Sequence, residues 1–578
     1  MLKTLKTYYS FLLRYKVIFI AFIFAIIANS VFESIQPYFF KIFIEQIPTA
    51  NFYIIIRIFV IYAIIRILGV ITDVYSGIFG DKMLGPASRD ARLKFFQKIN
   101  DLDFAYHLSK RTGSLISAIK RGDNAFFDLH FILHWRIGSI LINFIIMSIF
   151  LSRLNVWLLI AIIISFGINI LYAKKLLTRN FNARKKFIES EDFVMDVITD
   201  NLINYETVKL FAKEKWEYNR LKFFHIDWLK KLHNFSNTFR NIDISVGIIG
   251  NLGLFSIFIL GLIQFRLGMI TMGDYIMIIG FIISFYPRFF ELIYESRRLI
   301  QASIDIEKYF KVLEEPILVP DPINPVKKRN IAGEIEFKNV TFYYPDTNKP
   351  ALKDFSLLIR PGQSIALVGE SGVGKTTIGK LLLRFYDIQK GEILLDGTNI
   401  KKFTKSQLRS YMGVVPQEPI LFNDTIGYNI AYGNTKVIQK EIVAAAQMAN
   451  LDDFINTLPK KYNTMVGERG VKLSGGQKQR LAIARMILAN PDIVIFDEAT
   501  SQLDSESEKK IQSAFWKAVK NKTTIIIAHR LSTVINAEKI VVLSKGKIVE
   551  IGPHHELIKN TDSIYSHFWQ LQTQTEVL

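Results

Sequence analysis

The sequence predicts two units in series, an α-helical six-span transmembrane domain with long cytoplasmic helical extensions, followed by an α/β domain. Three observations carry this. At 578 residues the chain exceeds the usual size of one domain. Long apolar runs such as VIFIAFIFAIIANSVF and LLIAIIISFGINILYA fall in the first 300 residues. Beyond them, SIALVGESGVGKTTIGKLLL sets an apolar strand before a glycine-rich loop and a helix after it.

A membrane span needs about 20 mostly apolar residues. Six stretches qualify, at 17–40, 54–80, 129–151, 155–174, 243–265 and 272–294. KIFIEQIPTANFY, SRLN and RLGMITMG connect them briefly and with little charge, whereas 81–128 and 175–242 are long and rich in Lys and Arg. Cytoplasmic loops collect positive charge, so the long segments and both termini are assigned to the cytoplasm. Their helical periodicity predicts helices projecting beyond the bilayer, each pair turning at a short tip able to touch a soluble domain. The lead-in MLKTLKTYYSFLLRYK is basic and amphipathic and reads as an interfacial helix on the cytoplasmic face, not a cleavable signal.

The transmembrane domain is placed at 1–315, and Pro316, Pro320, Pro322 and Pro325 mark a stiff, non-helical linker at 316–332. The soluble domain is placed at 333–575. The net charge of +20 is explained by basic residues flanking spans, so no nucleic-acid partner is inferred. The chain has no Cys, which excludes disulfides, thiol catalysis and Cys-based metal sites.

The loop at Gly369 fits the pattern G-x-x-x-x-G-K-[ST], and its strand–loop–helix context is what phosphate binding requires. Gly369, Gly372 and Gly374 let backbone N–H groups wrap phosphates, with Glu370, Ser371, Val373 and Thr377 completing the loop. Lys375 reaches the β/γ oxygens and the Thr376 hydroxyl binds Mg²⁺. In IVIFDEATSQLD, two carboxylates close an apolar strand, and unpaired carboxylates at a strand end call for a cation. Asp497 completes the Mg²⁺ shell, and Glu498 polarises a water for attack on the γ-phosphate. LSGGQKQRLAIARMIL, at 473–488, is a Ser-Gly-Gly turn opening a long helix, a second anion-binding N-terminus.

Nearly the whole chain resembles the ATP-binding cassette (ABC) superfamily, specifically exporter half-transporters that fuse six spans to one α/β P-loop ATPase domain. LSGGQ matches the family signature, and the resemblance implies that Ser474, Gly475, Gly476 and Gln477 contact ATP held by the partner of a head-to-tail dimer. It implies that Gln417 in VVPQEP senses Mg²⁺, that His529 in IIIAHRLST is the switch histidine, and that Tyr344 in VTFYYP stacks on adenine. VGERG at 466–470 matches an exporter-type loop. Gln502 departs from the pattern, where the family has a small residue, while Asp504 is retained. The implied cofactors are ATP and Mg²⁺, and the implied assembly is a homodimer, or a heterodimer with another half-transporter, in a lipid bilayer.

For cargo the resemblance divides. HLSKRTGSLISAIKRG and NYETVKLFAKEK look like mitochondrial-type exporters of glutathione-linked sulfur or metal conjugates. YESRRLIQASIDIEKYFKVLEEP is nearer the general lipid and drug exporters, which favours export of a lipid-like, hydrophobic or amphipathic small molecule. Richness in Ile, Lys, Phe and Asn fits a bacterial inner (plasma) membrane with the nucleotide-binding domain cytoplasmic. Within the spans, Arg66 and Arg288 admit two readings. Either Arg66 pairs with Glu33 while Arg288 snorkels to the interface, or both line a cavity and attract an anionic group on the cargo.

Overall fold

The computed structural model describes residues 2–48, 51–109, 112–345, 347–467, 470–497, 505–528, 531–560 and 562–576. The chain folds as two compact units, one of Met1–Asp101 with Lys110–Glu315 and one of Leu102–Ser109 with Pro316–Leu578.

The first unit is helical: α1 (Leu2–Leu12), α2 (Lys16–Ser34), α3 (Gln36–Gln46), α4 (Phe52–Asp101), α5 (Thr112–His130), α6 (Ser139–Leu154), α7 (Val156–Ile203), α8 (Tyr205–Leu210), α9 (Glu214–Arg266) and α10 (Met272–Glu314). Among the described residues, six helices are long and apolar enough to cross a membrane. The first is interrupted at Ile35, where Pro37 sits in the opening turn of α3, a position that needs no proline N–H. The third carries a π-helical stretch, Phe131–Gly138, between α5 and α6. Two starts are fixed by side chains. Asn155 accepts from the Trp157 N–H at 2.8 Å to open α7. Thr271 and Asp274 exchange backbone N–H bonds at 3.0 Å to open α10.

In the lead-in helix Tyr8 packs against Phe126 at 4.8 Å and Phe11 stacks on Phe310 at 6.0 Å, so part of its apolar face meets protein. Two expectations change here. The pairing of Arg66 with Glu33 is not made. Arg288 holds Glu33 at 2.7 Å, because α2 and α10 bring these two together inside the bundle. Arg288 is therefore paired within the helices and does not snorkel.

The second unit contains two sheets. β1 (Ile335–Phe342), β2 (Leu352–Ile359), β4 (Lys390–Leu395) and β5 (Thr398–Asn399) form an antiparallel sheet in the order β2-β1-β4-β5. β3 (Ser364–Val368), β6 (Met412–Val415), β7 (Ile493–Asp497), β8 (Thr523–Ile527), β9 (Lys539–Ser544) and β10 (Lys547–Gly552) form the other in the order β10-β9-β3-β8-β7-β6. Strands β9, β3, β8, β7 and β6 run parallel, and only β10 is antiparallel. β3 and β8 are buried at every position, as strands covered on both faces must be. Leu102–Ser109 packs within this unit. Phe104 stacks on Phe385 at 4.6 Å, and the buried Asp103 accepts from the N–H groups of Leu318 and Val319.

Candidate nucleotide site

The site assembles at the carboxyl edge of the parallel strands, where ligands of open α/β sheets bind. Leu367 of β3 and Asp497 of β7 both stand opposite Ile527 of β8, which puts all three at one level of the sheet. Two strand spacings separate β3 from β7, about 10 Å. The loop Gly369–Gly374 leaves β3 just beyond this level and opens α11 (Lys375–Leu382).

Glycine is required at the loop's two ends. Gly374 has φ +108°, and a Cβ there would lie 2.6 Å from the Ala351 carbonyl oxygen. Gly369 has φ +153°, and a Cβ there would lie 2.4 Å from the Leu543 carbonyl oxygen. Both distances are below any real Cβ contact, so the loop closes this tightly only without side chains. Lys375 is buried, and its ammonium donates to the carbonyls of Gly369 and Glu370 at 2.6 and 2.8 Å. Burial holds that ammonium below its usual range, and the Asp497 carboxylate acts in the opposite direction. Glu370, Ser371 and Thr376 are exposed around the loop, Gly372 has φ +84° with open space beside it, and Val373 is half-buried.

Tyr344 lies beside this loop. Its ring packs edge-on against Phe342 and Tyr386 at 5.0 and 5.3 Å, and its hydroxyl meets the Thr377 hydroxyl at 3.0 Å. Gln417 is exposed after β6, and its backbone carbonyl accepts from the buried Gln479 amide at 2.7 Å. Gln479 belongs to α14 (Gly475–Ala489), if α12 (Ile426–Ala431) and α13 (Gln439–Met448) are counted before it. Ser474 caps α14 in a reciprocal box. Its hydroxyl accepts from the Gln477 N–H at 3.3 Å, and the Gln477 side-chain carbonyl accepts from the Ser474 N–H at 2.9 Å. Ser474 and Gly475 are exposed and Gly476 is buried.

Glu498, His529, Gln502 and Asp504 lie outside the described residues, as does part of VGERG. Among those described, no three His, Asp or Glu side chains gather to hold a metal alone. Thr376, Gln417 and Asp497 offer hydroxyl, amide and carboxylate oxygens, the hard donor set that Mg²⁺ takes alongside nucleotide phosphates.

Sequence reasoning missed Gln479, which reads as one more polar residue of a helix. It also missed a groove of about 470 Å³ in the first unit, lined by Arg121 of α5, Phe181, Arg184 and Lys185 of α7, and Asp305 and Lys308 of α10. Arg121 falls in the basic segment 81–128 and Arg184 and Lys185 in 175–242, both read as orientation charge, and no periodicity distinguishes a groove-facing Arg from a solvated one.

Residues 18–287 match the ABC transporter transmembrane region, and residues 352–501 match the family described as ABC transporter. ATP-binding cassette sub-family B member 6 of Mus musculus is 38% identical over 497 residues, 84% of this chain and 58% of the relative. Heavy metal tolerance factor 1 of Caenorhabditis elegans is 36% identical over 499 residues, 84% of this chain and 60% of the relative. The chain thus spans well under two thirds of the length of both relatives. A solved structure described as a bacterial Atm1-family ABC exporter with ATP bound is 33% identical, with a TM-score of 0.87 over 97% of this chain and 98% of that one.

Proposed function

The chain belongs to the ABC transporter family, and on that premise we propose that it hydrolyses MgATP to export an amphipathic, zwitterionic thiol-peptide conjugate of the glutathione class. The groove between α5, α7 and α10 carries the cargo reading. It is lined by four cations (Arg121, Arg184, Lys185 and Lys308) against three carboxylates (Glu189, Asp192 and Asp305), with Phe181, Ile188, Ile300 and Ile304 between them. Asp305 is already engaged by the Gln301 amide at 2.9 Å and approached by Arg121 at 4.0 Å. Carboxylates of a peptide-like ligand suit the remaining cations, its ammonium suits the acids, and its thioether arm suits the apolar strip.

The absence of Cys sharpens the reading for metals. Soft metals prefer thiolate, which this chain cannot supply, so a thiolate-bound metal cargo brings its thiol with it. The relative named heavy metal tolerance factor supports this class over the lipid-like or drug cargo also expected from sequence.

In the catalytic cycle, the loop amides and Lys375 hold the β/γ-phosphates, and Tyr344 flanks the nucleotide. Mg²⁺, when bound, neutralises charge developing on the phosphates; Thr376, Asp497 and Gln417 hold it. Glu498 orients the attacking water and His529 contacts the γ-phosphate side. Ser474 and Gly475, at the exposed start of α14, close the site of a second copy of this chain, so a homodimer has two such sites. The basic cytoplasmic segments support a nucleotide-binding unit facing the cytoplasm, and residue usage supports a bacterial plasma membrane.

ATPase activity in nanodiscs tests the cargo class. Oxidised glutathione or a thioether conjugate stimulates turnover, phospholipid and a neutral hydrophobic drug do not, and Arg184→Ala removes the stimulation while basal hydrolysis persists. Stimulation by the neutral drug alone returns the reading to a lipid or drug exporter.

A further inference from the structure

A second cavity, of about 370 Å³, lies among α2, α4, α6, α10 and the π-helical stretch Phe131–Gly138, all parts of helices long and apolar enough to cross a membrane. Its lining includes five ionisable side chains, Glu33, Asp73, Arg136, Arg288 and Glu291. Four of them are matched. Arg288 holds Glu33 at 2.7 Å and Arg136 holds Glu291 at 2.8 Å. Asp73 is the fifth, and its carboxylate accepts from the Asn29 amide at 3.2 Å, a neutral partner. The lining therefore carries three acids and two bases.

Charge inside a membrane domain is expensive and faces a bundle interior or a water-filled path. Two ion pairs account for their own cost here. They do not account for Asp73, which an amide stabilises far less than a cation does. The pairs are also incompletely covered, with side-chain exposures of 33% and 34% for Arg288 and Glu33, so both can still bond an occupant. A π-helical segment along one wall is a frequent mark of functional sites.

We propose that this cavity is a second station on the export path, where Asp73 binds the protonated amino group of the cargo. The inference rests on the cargo reading above and adds to it. Glu291 of this cavity and Ile300 of the first groove are both on α10, nine residues apart, or roughly 14 Å at about 1.5 Å per residue. A small conjugate therefore occupies the two in succession, first presenting carboxylates to the cationic groove and then its ammonium to Asp73. The carboxylate end finds Arg136 and Arg288 across the same cavity, which is why a zwitterion suits it better than a simple amine.

The experiment measures uptake into inside-out vesicles of a glutathione thioether and of the same thioether with its amino group acetylated. Wild-type protein moves the free amine about tenfold faster, the discrimination of one charge-assisted hydrogen bond. Asp73→Asn brings the ratio to about one, and Asp73→Glu restores it, which a merely structural role for Asp73 does not explain. Equal wild-type rates for both thioethers overturn the second station and remove the ammonium contact from the cargo reading, which then keeps its carboxylate and thioether contacts in the first groove. A tenfold preference that survives in a folded Asp73→Asn protein also overturns it. Movement of neither compound sinks the cargo reading and this inference with it.

Discussion

The Gln479 side-chain amide donates to the backbone carbonyl of Gln417 at 2.7 Å, and so ties the helix behind LSGGQ to the loop assigned to Mg²⁺ sensing. The same amide lies 3.3 Å from the Pro416 carbonyl, which fixes the loop at two successive residues. Gln479→Leu removes the donor from two carbonyls of an exposed loop that water can reach, at a cost of about 0.5–1.5 kcal/mol. Thermal denaturation should show that loss. Cargo-stimulated ATPase should fall more than basal ATPase, since the loop and not the phosphate cradle has been loosened. Unchanged stimulation in a destabilised variant would mean the tie is structural alone.

Lys375 and Glu498 should fail at different steps. Lys375→Ala removes the cation at the loop and abolishes nucleotide binding, whereas Glu498→Gln keeps the cradle and Asp497 and traps MgATP. Equilibrium binding of a fluorescent ATP analogue separates the two, with turnover in Glu498→Gln reduced by about 10²-fold or more. Near-normal turnover there removes Glu498 from the role proposed for it. Chelating Mg²⁺ from wild-type protein should stop hydrolysis while leaving some ATP bound.

Gly374→Ala places a Cβ 2.6 Å from a backbone oxygen and 2.9 Å from Leu352, at φ +108°. Backbone must shift to admit it, at a cost of order 1–3 kcal/mol held at the point where α11 begins. ATP affinity should drop steeply while the helical first unit keeps its circular dichroism and its detergent-extracted size. Full ATP affinity in Gly374→Ala would show that the loop relaxes more freely than its geometry implies.

Ser474→Arg should disable the site completed on a second copy of the chain. Co-expressing it with Lys375→Ala tests the arrangement. If Ser474 of one copy serves the loop of the other, the mixed dimer has one site carrying both lesions and one carrying neither, and it recovers up to about half the wild-type activity, the share of one intact site in two. If each chain completes its own site, both sites are broken and no activity returns.

The sequence by itself determined the two units, the six spans, the phosphate loop and the acid at the end of β7, because each is a local pattern. An apolar run of span length, a glycine pair with a lysine after it, and a strand running into a carboxylate are all written in consecutive residues. Tertiary structure decided who meets whom. Arg288 lies 255 residues from Glu33 and takes the partner that the sequence had offered to Arg66. Helical periodicity gives the face a side chain occupies but not which helix is set against it. Gln479 and Gln417 are 62 residues apart, and their bond exists because α14 packs against β6. Asp73 makes the point most fully. Nothing near it in the chain marks it as the unmatched charge of a cavity, since that status depends on two ion pairs made by four residues drawn from three other parts of the fold.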